Sequence, residues 1–239
     1  MRTAVFFKGC PLRCPWCHNP ESQAFKPEPM ADGDGRVETI GRRYSVDELM
    51  EEASRDIIFY DQSGGGVTLT GGEPMAQDID FMFELATGLV RRGIAVGVDT
   101  CGVAPTSAFE RMADVAAFFL YDLKFIDSRL HRKWTGASNS LVLRNLQRLA
   151  QLHATIYLRL ILLDGINADS ATIRQTMEWL RENNIDAVQV NVLPYHRFGM
   201  DKFARLGRKA TEFRAPSDET LERIRHDIEE FYPHVTVGG

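Results

Sequence analysis

Three cysteines stand close together near the start of the chain, in a segment that is rich in proline. Cys10, Cys14 and Cys17 occur in KGCPLRCPWCHNP, separated by three and by two residues. Thiolates favour zinc or iron–sulfur centres over hard cations, and a loop of this length can bring three of them around one inorganic core. Since a closed tetrahedral site needs four ligands, the spacing predicts a centre with one open coordination position.

Two other interpretations of these cysteines stay open. A zinc ion could take His18 as its fourth ligand, or the three thiols could pack as small apolar side chains. Pro11 and Pro15 indicate a loop and so disfavour the packed alternative. The remaining cysteine, Cys101, is far along the chain, so we expect one metal centre and do not expect Cys101 to be a ligand.

Polar residues also stand at the ends of apolar runs that we interpret as β-strands. They are, in chain order, Gly71, Gly72, Glu73, Asp99, Thr100, Asp122 and Lys124. Two glycines let the backbone approach a ligand closely, and a carboxylate such as that of Glu73 can orient an ammonium group. The simpler alternatives are a turn at the glycines and an ion pair between Asp122 and Lys124.

Three further side chains are candidates for the same site. Arg159 lies within the apolar run YLRLILL, where a charge is costly unless it faces a polar interior. His196 follows a later strand in LPYH, and an exposed loop histidine is its plain alternative. Trp16 separates two of the cysteines and could cover either the metal centre or the hydrophobic core.

The elements that must position these residues form a repeating pattern. Apolar or β-branched runs alternate with amphipathic segments between residues 67 and 193, which is typical of βα units around a parallel sheet. The predicted strands are 3–7, 67–70, 94–100, 116–124, 155–163 and 187–193. The predicted helices are 45–55, 78–92, 105–112, 141–153, 170–183 and 217–232.

Polar residues after each strand predict an α/β barrel or partial barrel of the TIM type, with its site at the carboxyl ends of the strands. A doubly wound sheet is the alternative. Ser45 and Glu48 predict a capping box at the start of the first helix.

Length and composition exclude several classes of protein. The 239 residues predict one domain over residues 1–239, and 44% hydrophobic with 26% charged residues is typical of a folded globular chain. The net charge of −5 argues against nucleic acid as a partner. No apolar run is long enough for a membrane span or a signal peptide, so we expect no membrane partner and a cytoplasmic protein with reduced thiols. Residues 24–43 lack periodicity and are predicted as a surface excursion.

Five longer strings identify a family, and they follow one another in the order FFKGCPLRCPWCHNPES, SGGGVTLTGGEP, VDTCG, YDLK and LPYH. They resemble the radical S-adenosylmethionine (SAM) enzymes, and within these the branch that activates glycyl radical enzymes. The resemblance covers nearly the whole chain. It implies a partial (β/α)6 barrel of the TIM type with parallel strands, in agreement with the six predicted strands.

By this resemblance, Cys10, Cys14 and Cys17 hold one [4Fe–4S] cluster, and SAM binds at the iron that they leave open. Cleavage of SAM then gives a 5′-deoxyadenosyl radical that removes hydrogen from a glycine of a partner enzyme. The aspartates and the threonine are also implied to hold a monovalent cation beside the SAM carboxylate. The implied SAM-binding residues are Trp16, His18, Gly71, Gly72, Glu73, Asp99, Thr100, Asp122, Lys124, Arg159 and His196.

The resemblance implies a protein substrate, which is a glycyl radical enzyme of the pyruvate formate-lyase kind by default. Many relatives carry a ferredoxin-like insert with further cysteines in the place of residues 24–43, and this segment has none. One cluster is therefore expected, in a monomer. A radical SAM enzyme that acts on a small molecule and a structural zinc module are the alternative functions.

The same resemblance implies a flavodoxin or a ferredoxin as electron donor. An acidic chain would receive such a donor on a local basic patch. Two candidate patches are the pair Arg42 and Arg43 and the group Arg205, Arg208 and Lys209. Their alternative is an ordinary solvated face.

Overall fold

A sheet of seven strands is the centre of the computed structural model, which describes residues 1–238. In chain order the strands are β1 (Arg2–Phe7), β2 (Glu28–Ala31), β3 (Val37–Ile40), β4 (Gly66–Gly71), β5 (Ala95–Thr100), β6 (Phe118–Asp122), β7 (Ile156–Leu162), β8 (Gln189–Pro194) and β9 (Val235–Val237). The sheet order is β1-β4-β5-β6-β7-β8-β9, and each neighbouring pair is parallel. The strands β2 and β3 form a separate antiparallel hairpin.

Helices connect the strands and pack side by side outside the sheet. They are α1 (Val46–Ser54), α2 (Ile57–Ser63), α3 (Ile79–Arg91), α4 (Thr106–Ala113), α5 (Ser128–Thr135), α6 (Ser140–Gln151), α7 (Ser170–Glu182), α8 (Phe198–Arg205) and α9 (Asp218–Glu229), with short 3-10 turns at Pro20–Ser22 and Pro74–Ala76. Helix α3 packs against both α1 and α4, α4 against α6, and α7 against α9. Among residues 1–238, no helix has the length and apolar character needed to span a membrane.

The six predicted strands are confirmed, with ends that differ by at most two residues, and the six predicted helices are confirmed as well. The capping box is also present. Ser45 Oγ accepts a hydrogen bond from the backbone N–H of Glu48, and the Glu48 carboxylate accepts one from the backbone N–H of Ser45. Among residues 1–238, three helices, α2, α5 and α8, and three strands, β2, β3 and β9, were not predicted.

Residues 24–43 lie at the surface, as predicted, but they are more regular than expected. Strands β2 and β3 pair with each other here. Asp32 Oδ1 closes the turn between them, because it accepts from the backbone N–H groups of Asp34 at 2.9 Å and Arg36 at 2.8 Å. Most of the hairpin is exposed, so it carries no alternating apolar pattern that would have revealed it.

The parallel strands send apolar and polar side chains to opposite faces, since successive side chains of a strand alternate. On β5, Val96 and Val98 belong to the hydrophobic core, whereas Asp99 lines a cavity on the other face. On β7, Leu158 and Leu160 are buried in the core, whereas Arg159 lines the same cavity. The core therefore lies between the sheet and the helices, and the opposite face is polar.

The sheet curves but does not close. Residues from the carboxyl ends of β4 to β8 line one cavity, which requires the sheet to bend around it. In the part of the chain that the structure describes, β1 and β9 are the two edges and do not pair with each other. The fold is therefore an α/β partial barrel with parallel strands, and the doubly wound alternative is not adopted.

Candidate active site

The loop with the three cysteines follows β1 and turns back on itself at once. The backbone N–H groups of Gly9 and Cys10 donate to the carbonyl oxygens of Ser22 at 2.7 Å and Gln23 at 3.1 Å. Gly9 has a φ of 104°, and the ring of Phe25 fills the space that a Cβ would need. Glycine is therefore required at the entrance to the loop.

Two elements that are remote in sequence support the same loop. The backbone N–H of Arg13 donates to the carbonyl oxygen of Thr135, the last residue of α5, at 2.8 Å. On the other side, helix α8 packs so closely that a Cβ on Gly199 would collide with the backbone of the loop. The ammonium of Lys202, also on α8, donates to Asn19 Oδ1 at 2.8 Å. The cysteine loop is thus fixed from both sides.

A cavity of about 260 Å³ opens beside this loop at the carboxyl ends of the strands, where active sites of barrels are built. Most of the residues predicted from the sequence line it, and only Glu73 and Thr100 do not. The predicted residues that line the cavity are Cys10, Cys14, Trp16, Cys17, His18, Gly71, Gly72, Asp99, Asp122, Lys124, Arg159 and His196. The fold therefore brings together residues that are spread over most of the chain.

The thiols of the loop differ in their acidity. Burial raises the pKa of Cys14 to about 12 and that of Cys17 to about 11. The pKa of Cys10 is lowered, chiefly because the thiol of Cys101 donates a hydrogen bond to it. Cys101 is itself buried and lines the same cavity, next to Cys10. Because a metal binds thiolates, metal uptake by Cys14 and Cys17 must release protons.

The donor set of the cavity suits an iron–sulfur cluster. Three thiols of one loop line it, and Leu12 and Trp16 give it an apolar border. Within residues 1–238, no three His, Cys, Asp or Glu side chains converge closely enough to hold a single metal ion. A cluster distributes its thiolate ligands over several iron atoms, so it does not need that convergence.

Glu73 lies behind the wall of the cavity, which differs from the expectation that its carboxylate faces a ligand. It is fully buried and accepts hydrogen bonds from the backbone N–H of Met75 at 3.0 Å, the hydroxyl of Thr100 at 2.8 Å and the backbone N–H of Cys101 at 2.6 Å. Burial raises the pKa of Glu73, and these hydrogen bonds oppose that rise. Glu73 and Thr100 are therefore positioning residues, and it is Gly71 and Gly72 that face the cavity.

Replacing Glu73 by glutamine is expected to lower the free energy of unfolding by about 2–3 kcal/mol. The amide keeps one acceptor oxygen but directs an N–H group at donors, so at least one buried donor loses its partner. Urea unfolding measures the change. Glu84→Gln is the matched control, because Glu84 is exposed on α3, and it should change stability by less than about 0.5 kcal/mol. Equal losses in the two variants would contradict the positioning role.

Four charged side chains form one network on the cavity wall. Arg159 Nε donates to Asp122 Oδ1 at 2.7 Å, and the other guanidinium nitrogens donate to Asp99. Lys124 Nζ donates to Asp122 Oδ2 at 3.0 Å, and the hydroxyl of Thr70 donates to Asp99 Oδ2 at 2.9 Å. The ion pair between Asp122 and Lys124, which was an alternative to a binding role, is present, and it lines the cavity as well.

The two carboxylates of this network differ in their acidity. Burial opposes the ionisation of Asp122, but Arg159 and Lys124 outweigh it and lower its pKa. The pKa values of Lys124 and Arg159 are raised in spite of burial, chiefly by Asp122. Burial raises the pKa of Asp99, and Arg159 opposes that rise. Asp122 is therefore the carboxylate that both cations share, since Arg159 and Lys124 each donate to it.

Trp16 combines the two roles that the sequence left open. It lines the cavity, and its ring also packs against Phe125 and Phe213 with centroid distances of 6.0 and 5.8 Å. Trp134 on α5 lies 6.4 Å from it. Trp16 thus borders the cavity while it belongs to an aromatic cluster under the cysteine loop.

The mouth of the cavity is bordered by two histidines. The ring centroids of His18 and His196 are 4.5 Å apart, and Phe198 packs against both rings. Burial lowers the pKa of His18, and His196 adds to this effect. Both histidines are exposed on their outer side, so they stand where a bound molecule would meet solvent.

Gln23 and Thr70 are two polar residues of the cavity that the sequence did not single out. Gln23 is buried and its side-chain amide donates to the carbonyl oxygen of Cys14 at 3.3 Å. No local pattern marks it, because its role depends on how the loop folds back. Thr70 binds Asp99, and its position at the polar end of the run VTLT could have indicated it.

One of the two candidate basic patches is not a free surface. Arg208 pairs with Glu28 on β2 and donates to the carbonyl oxygen of Pro20 at 2.9 Å. Arg205 donates to the carbonyl oxygen of Ala31 on the same hairpin at 2.5 Å. Both side chains attach the hairpin to the end of α8 and the residues that follow it, and the exposed member of the expected docking group is Lys209. Arg42 and Arg43 are exposed.

Comparisons of sequence connect this geometry to known proteins. Residues 4–180 match the Radical SAM superfamily. The whole chain is 37% identical to the trans-4-hydroxy-L-proline dehydratase activating enzyme of Clostridioides difficile, with 94% of that protein covered. It is 35% identical, again over its whole length, to the pyruvate formate-lyase 2-activating enzyme of Escherichia coli (strain K12), with 87% of that protein covered. The first alignment spans 286 positions against 239 residues in this chain, so that relative carries dozens of residues that are missing here.

Solved structures resemble the fold. A domain of a pyruvate-formate lyase-activating enzyme from Bacteroides vulgatus ATCC 8482 matches with a TM-score of 0.63 and 28% identity, covering 74% of this chain and 100% of that one. Streptococcus suis SuiB bound to S-adenosylmethionine matches with a TM-score of 0.70 over 100% of this chain and 50% of that one. Its identity of 14% makes it a likeness of fold alone.

Proposed function

Because this chain belongs to the radical SAM superfamily and, within it, to the activating enzymes of glycyl radical enzymes, we propose that it installs a radical on a glycine of a partner enzyme. The observation that carries the proposal is the cavity shared by the three thiols and the charged network. A [4Fe–4S] cluster and SAM would supply the chemistry, which is the one-electron cleavage of a C–S bond of SAM followed by removal of the glycine hydrogen by the nucleoside fragment.

The residues of the chain bind and orient the reactants. Cys10, Cys14 and Cys17 would hold the cluster. Gly71 and Gly72 line the cavity and present their backbone to the methionyl amino group. Side chains at these positions would collide with the backbone of β1 and of the cysteine loop. Cys14 is buried and Cys10 and Cys17 are half-buried, which supports this assignment because it limits the access of water to the reacting atoms.

The charged network provides counter-ions for SAM, which carries an amino, a carboxylate and a sulfonium group. Arg159 and Lys124 offer cations to the carboxylate, and Asp99 and Asp122 offer anions to the positive groups. The network is neutral before SAM enters, so it can regroup around a ligand of mixed charge. His18, His196 and Trp16 border the rest of the molecule.

We also propose that the cavity holds the monovalent cation that the resemblance implies. Asp99 and Asp122 supply two carboxylates to the cavity, which supports such a site. Arg159 and Lys124 already neutralise them, and the hydroxyl of Thr100 donates to Glu73. A dependence of SAM affinity on potassium, compared with choline, is the measurement that decides.

The cellular compartment, the oligomeric state and the electron donor complete the proposal. All four cysteines are unpaired in the described residues, which supports work in the cytoplasm, where thiols stay reduced. We further propose that the chain acts as a monomer, for which size-exclusion chromatography with light scattering is the check, and that a flavodoxin or ferredoxin supplies the electron.

The activity is tested with peptides copied from the glycine loops of the two enzymes that the named relatives activate. The reduced, reconstituted protein is incubated with SAM and a peptide whose glycine is deuterated. We expect deuterium in 5′-deoxyadenosine, because the radical takes its hydrogen from the glycine. Mass spectrometry of the nucleoside measures it, and a peptide with alanine in place of glycine is the matched control.

Different outcomes separate the alternatives. If no peptide and no intact partner transfers label whereas a small metabolite does, the protein is a small-molecule radical SAM enzyme. If the reconstituted protein holds zinc and no iron or sulfide, the protein is a structural zinc module and neither radical SAM function applies. Label from the glycine peptide alone supports the proposed function.

A further inference from the structure

Helix α5 carries a compact set of basic side chains on its exposed side. Arg129, Arg132 and Lys133 are spaced at i, i+3 and i+4, so they share one face of the helix. The Arg129 side chain is 94% exposed, and the other two residues are exposed as well. Within residues 1–238, only one acidic side chain pairs with any of them, namely Asp127 at 3.6 Å from Arg129. These three basic residues are called the α5 basic face below.

The other side of α5 is attached to the cysteine loop. His131 and Thr135 are its buried residues, and the Thr135 carbonyl oxygen accepts from the backbone N–H of Arg13 in the loop. Arg13 is exposed and adds a fourth positive charge close to the end of the helix. The α5 basic face therefore lies on the outer side of the helix that supports the proposed cluster ligands.

Packed aromatic rings join the helix to the interior of the loop. Trp134, which follows Lys133, packs against Trp16 with ring centroids 6.4 Å apart. Trp16 stands between Cys14 and Cys17 in the sequence. The two rings thus form a continuous contact from the basic helix to the residues that would hold the cluster.

Charged groups on the neighbouring segment cancel one another and leave the α5 basic face dominant. Phe213 packs against Trp134, and the residues on either side of Phe213 are paired. Glu212 lies 3.1 Å from Arg197, and Arg214 lies 3.3 Å from Asp164. The chain as a whole carries a net charge of −5, so this positive patch stands out against an acidic background.

We propose that the α5 basic face is the docking surface for an acidic one-electron carrier protein. This inference rests on the proposed function, in which each SAM cleavage needs one electron from outside. The carrier gives up one electron and the cluster accepts it, and no bond forms or breaks between the two proteins. An acidic carrier is repelled by the chain as a whole, so a local patch of opposite charge must guide it, and that patch lies beside the cluster loop.

The test compares two charge-reversed variants. The first is Arg129→Glu/Arg132→Glu/Lys133→Glu, and the control is Arg42→Glu/Arg43→Glu, which reverses the other exposed basic pair. Reduced flavodoxin is the probe, with reduced [2Fe–2S] ferredoxin in a parallel series. Stopped-flow absorbance gives the second-order rate constant of cluster reduction, and calorimetry gives the affinity of oxidised flavodoxin for the cluster-free protein.

We expect the α5 variant to reduce the rate constant at least tenfold at low ionic strength and to weaken the binding of flavodoxin to the cluster-free protein. The wild-type rate should fall steeply with added salt, and the rate of the variant should not. The proposal is overturned if the α5 variant keeps the wild-type rate, if the Arg42 and Arg43 variant loses more, or if neither carrier reduces the wild type.

A chemical reductant distinguishes a failure of this inference from a failure of the proposed function. Dithionite-driven cleavage of SAM does not need protein docking, so it should be unchanged in the α5 variant, which also shows that the variant folds. The milder variant Arg129→Gln/Arg132→Gln/Lys133→Gln should give an intermediate rate with either carrier. If the wild type, reduced with dithionite, transfers no deuterium from the glycine peptide to 5′-deoxyadenosine, that result counts against the proposed function. It does not bear on the docking surface.

Discussion

Replacing Cys14 by serine is expected to remove most of the bound iron and all cleavage of SAM. Cys14 is buried, and burial raises the pKa of its thiol to about 12, so a bound metal favours the thiolate form near neutral pH. A serine hydroxyl is a poor ligand for iron in a cluster, and two thiolates do not hold a [4Fe–4S] core. Anaerobic reconstitution followed by iron and sulfide analysis should give about four irons per chain for the wild type and less than about one for the variant.

Cys101→Ser is the matched control for this substitution. Cys101 is also buried and lines the same cavity, but it belongs to a different segment from the three ligands. The bond from its backbone N–H to Glu73 does not depend on the thiol, so the turn around it should persist. The variant should keep both iron and SAM cleavage. Loss of iron here, or about eight irons per chain in the wild type, would contradict a single three-cysteine site.

Replacing Asp122 by asparagine is expected to reduce SAM cleavage by about a hundredfold or more. The substitution keeps the shape of the side chain and removes one of two negative charges, so Arg159 and Lys124 compete for Asp99. Without a neutral network, the cations are free to hold the SAM carboxylate in a wrong place. Single-turnover cleavage with dithionite and equilibrium binding of SAM measure the effect.

The same variant should also be less stable, by about 3 kcal/mol, because breaking a buried ion pair leaves an uncompensated charge. Asp80→Asn is the control. Asp80 is 84% exposed and pairs with Arg111 at 2.6 Å, so its loss should cost less than about 1 kcal/mol. A variant that is destabilised but binds and cleaves SAM normally would assign Asp122 to the fold alone.

The pH dependence of stability has a definite sign here. The pKa of Asp122 is lower in the folded chain than in the unfolded one. Its stabilising contribution is therefore complete above the unfolded-state pKa of about 3.9 and is lost as the pH falls towards the lowered value. The Asp122→Asn variant should lack this part of the acid sensitivity of the wild type.

Much of the fold could be predicted because it follows from alternation within strands. Val96, Val98 and Asp99 show the apolar and polar sides of β5 directly in the sequence. Helix α5 was missed for a related reason, since its buried residues include His131 and Thr135, which are polar and give no apolar period. The hairpin of β2 and β3 depends on Arg205 and Arg208, far along the chain, and local patterns carry no such information.

The sequence predicted which residues form the candidate site, but it did not predict the contacts among them. Residue types at strand ends and the cysteine spacing indicated which side chains converge. They could not show that Glu73 turns away from the cavity, because that depends on donors from Met75, Thr100 and Cys101. Residue types and spacing also could not show that Arg159 lies between two carboxylates. Asp122 comes opposite Arg159 only because β6 pairs with β7 in this register.

The support that α8 gives to the cysteine loop sets an order on the maturation of the chain. The cysteines precede Gly199 and Lys202, which close the loop from outside, so the cysteines leave the ribosome before them. The hydrogen bond between Lys202 and Asn19 joins positions that are 183 residues apart. Contacts of such separation must offset the entropy of closing a long loop, so they form slowly. The place for the metal centre is therefore completed by a helix that is made long after the metal ligands.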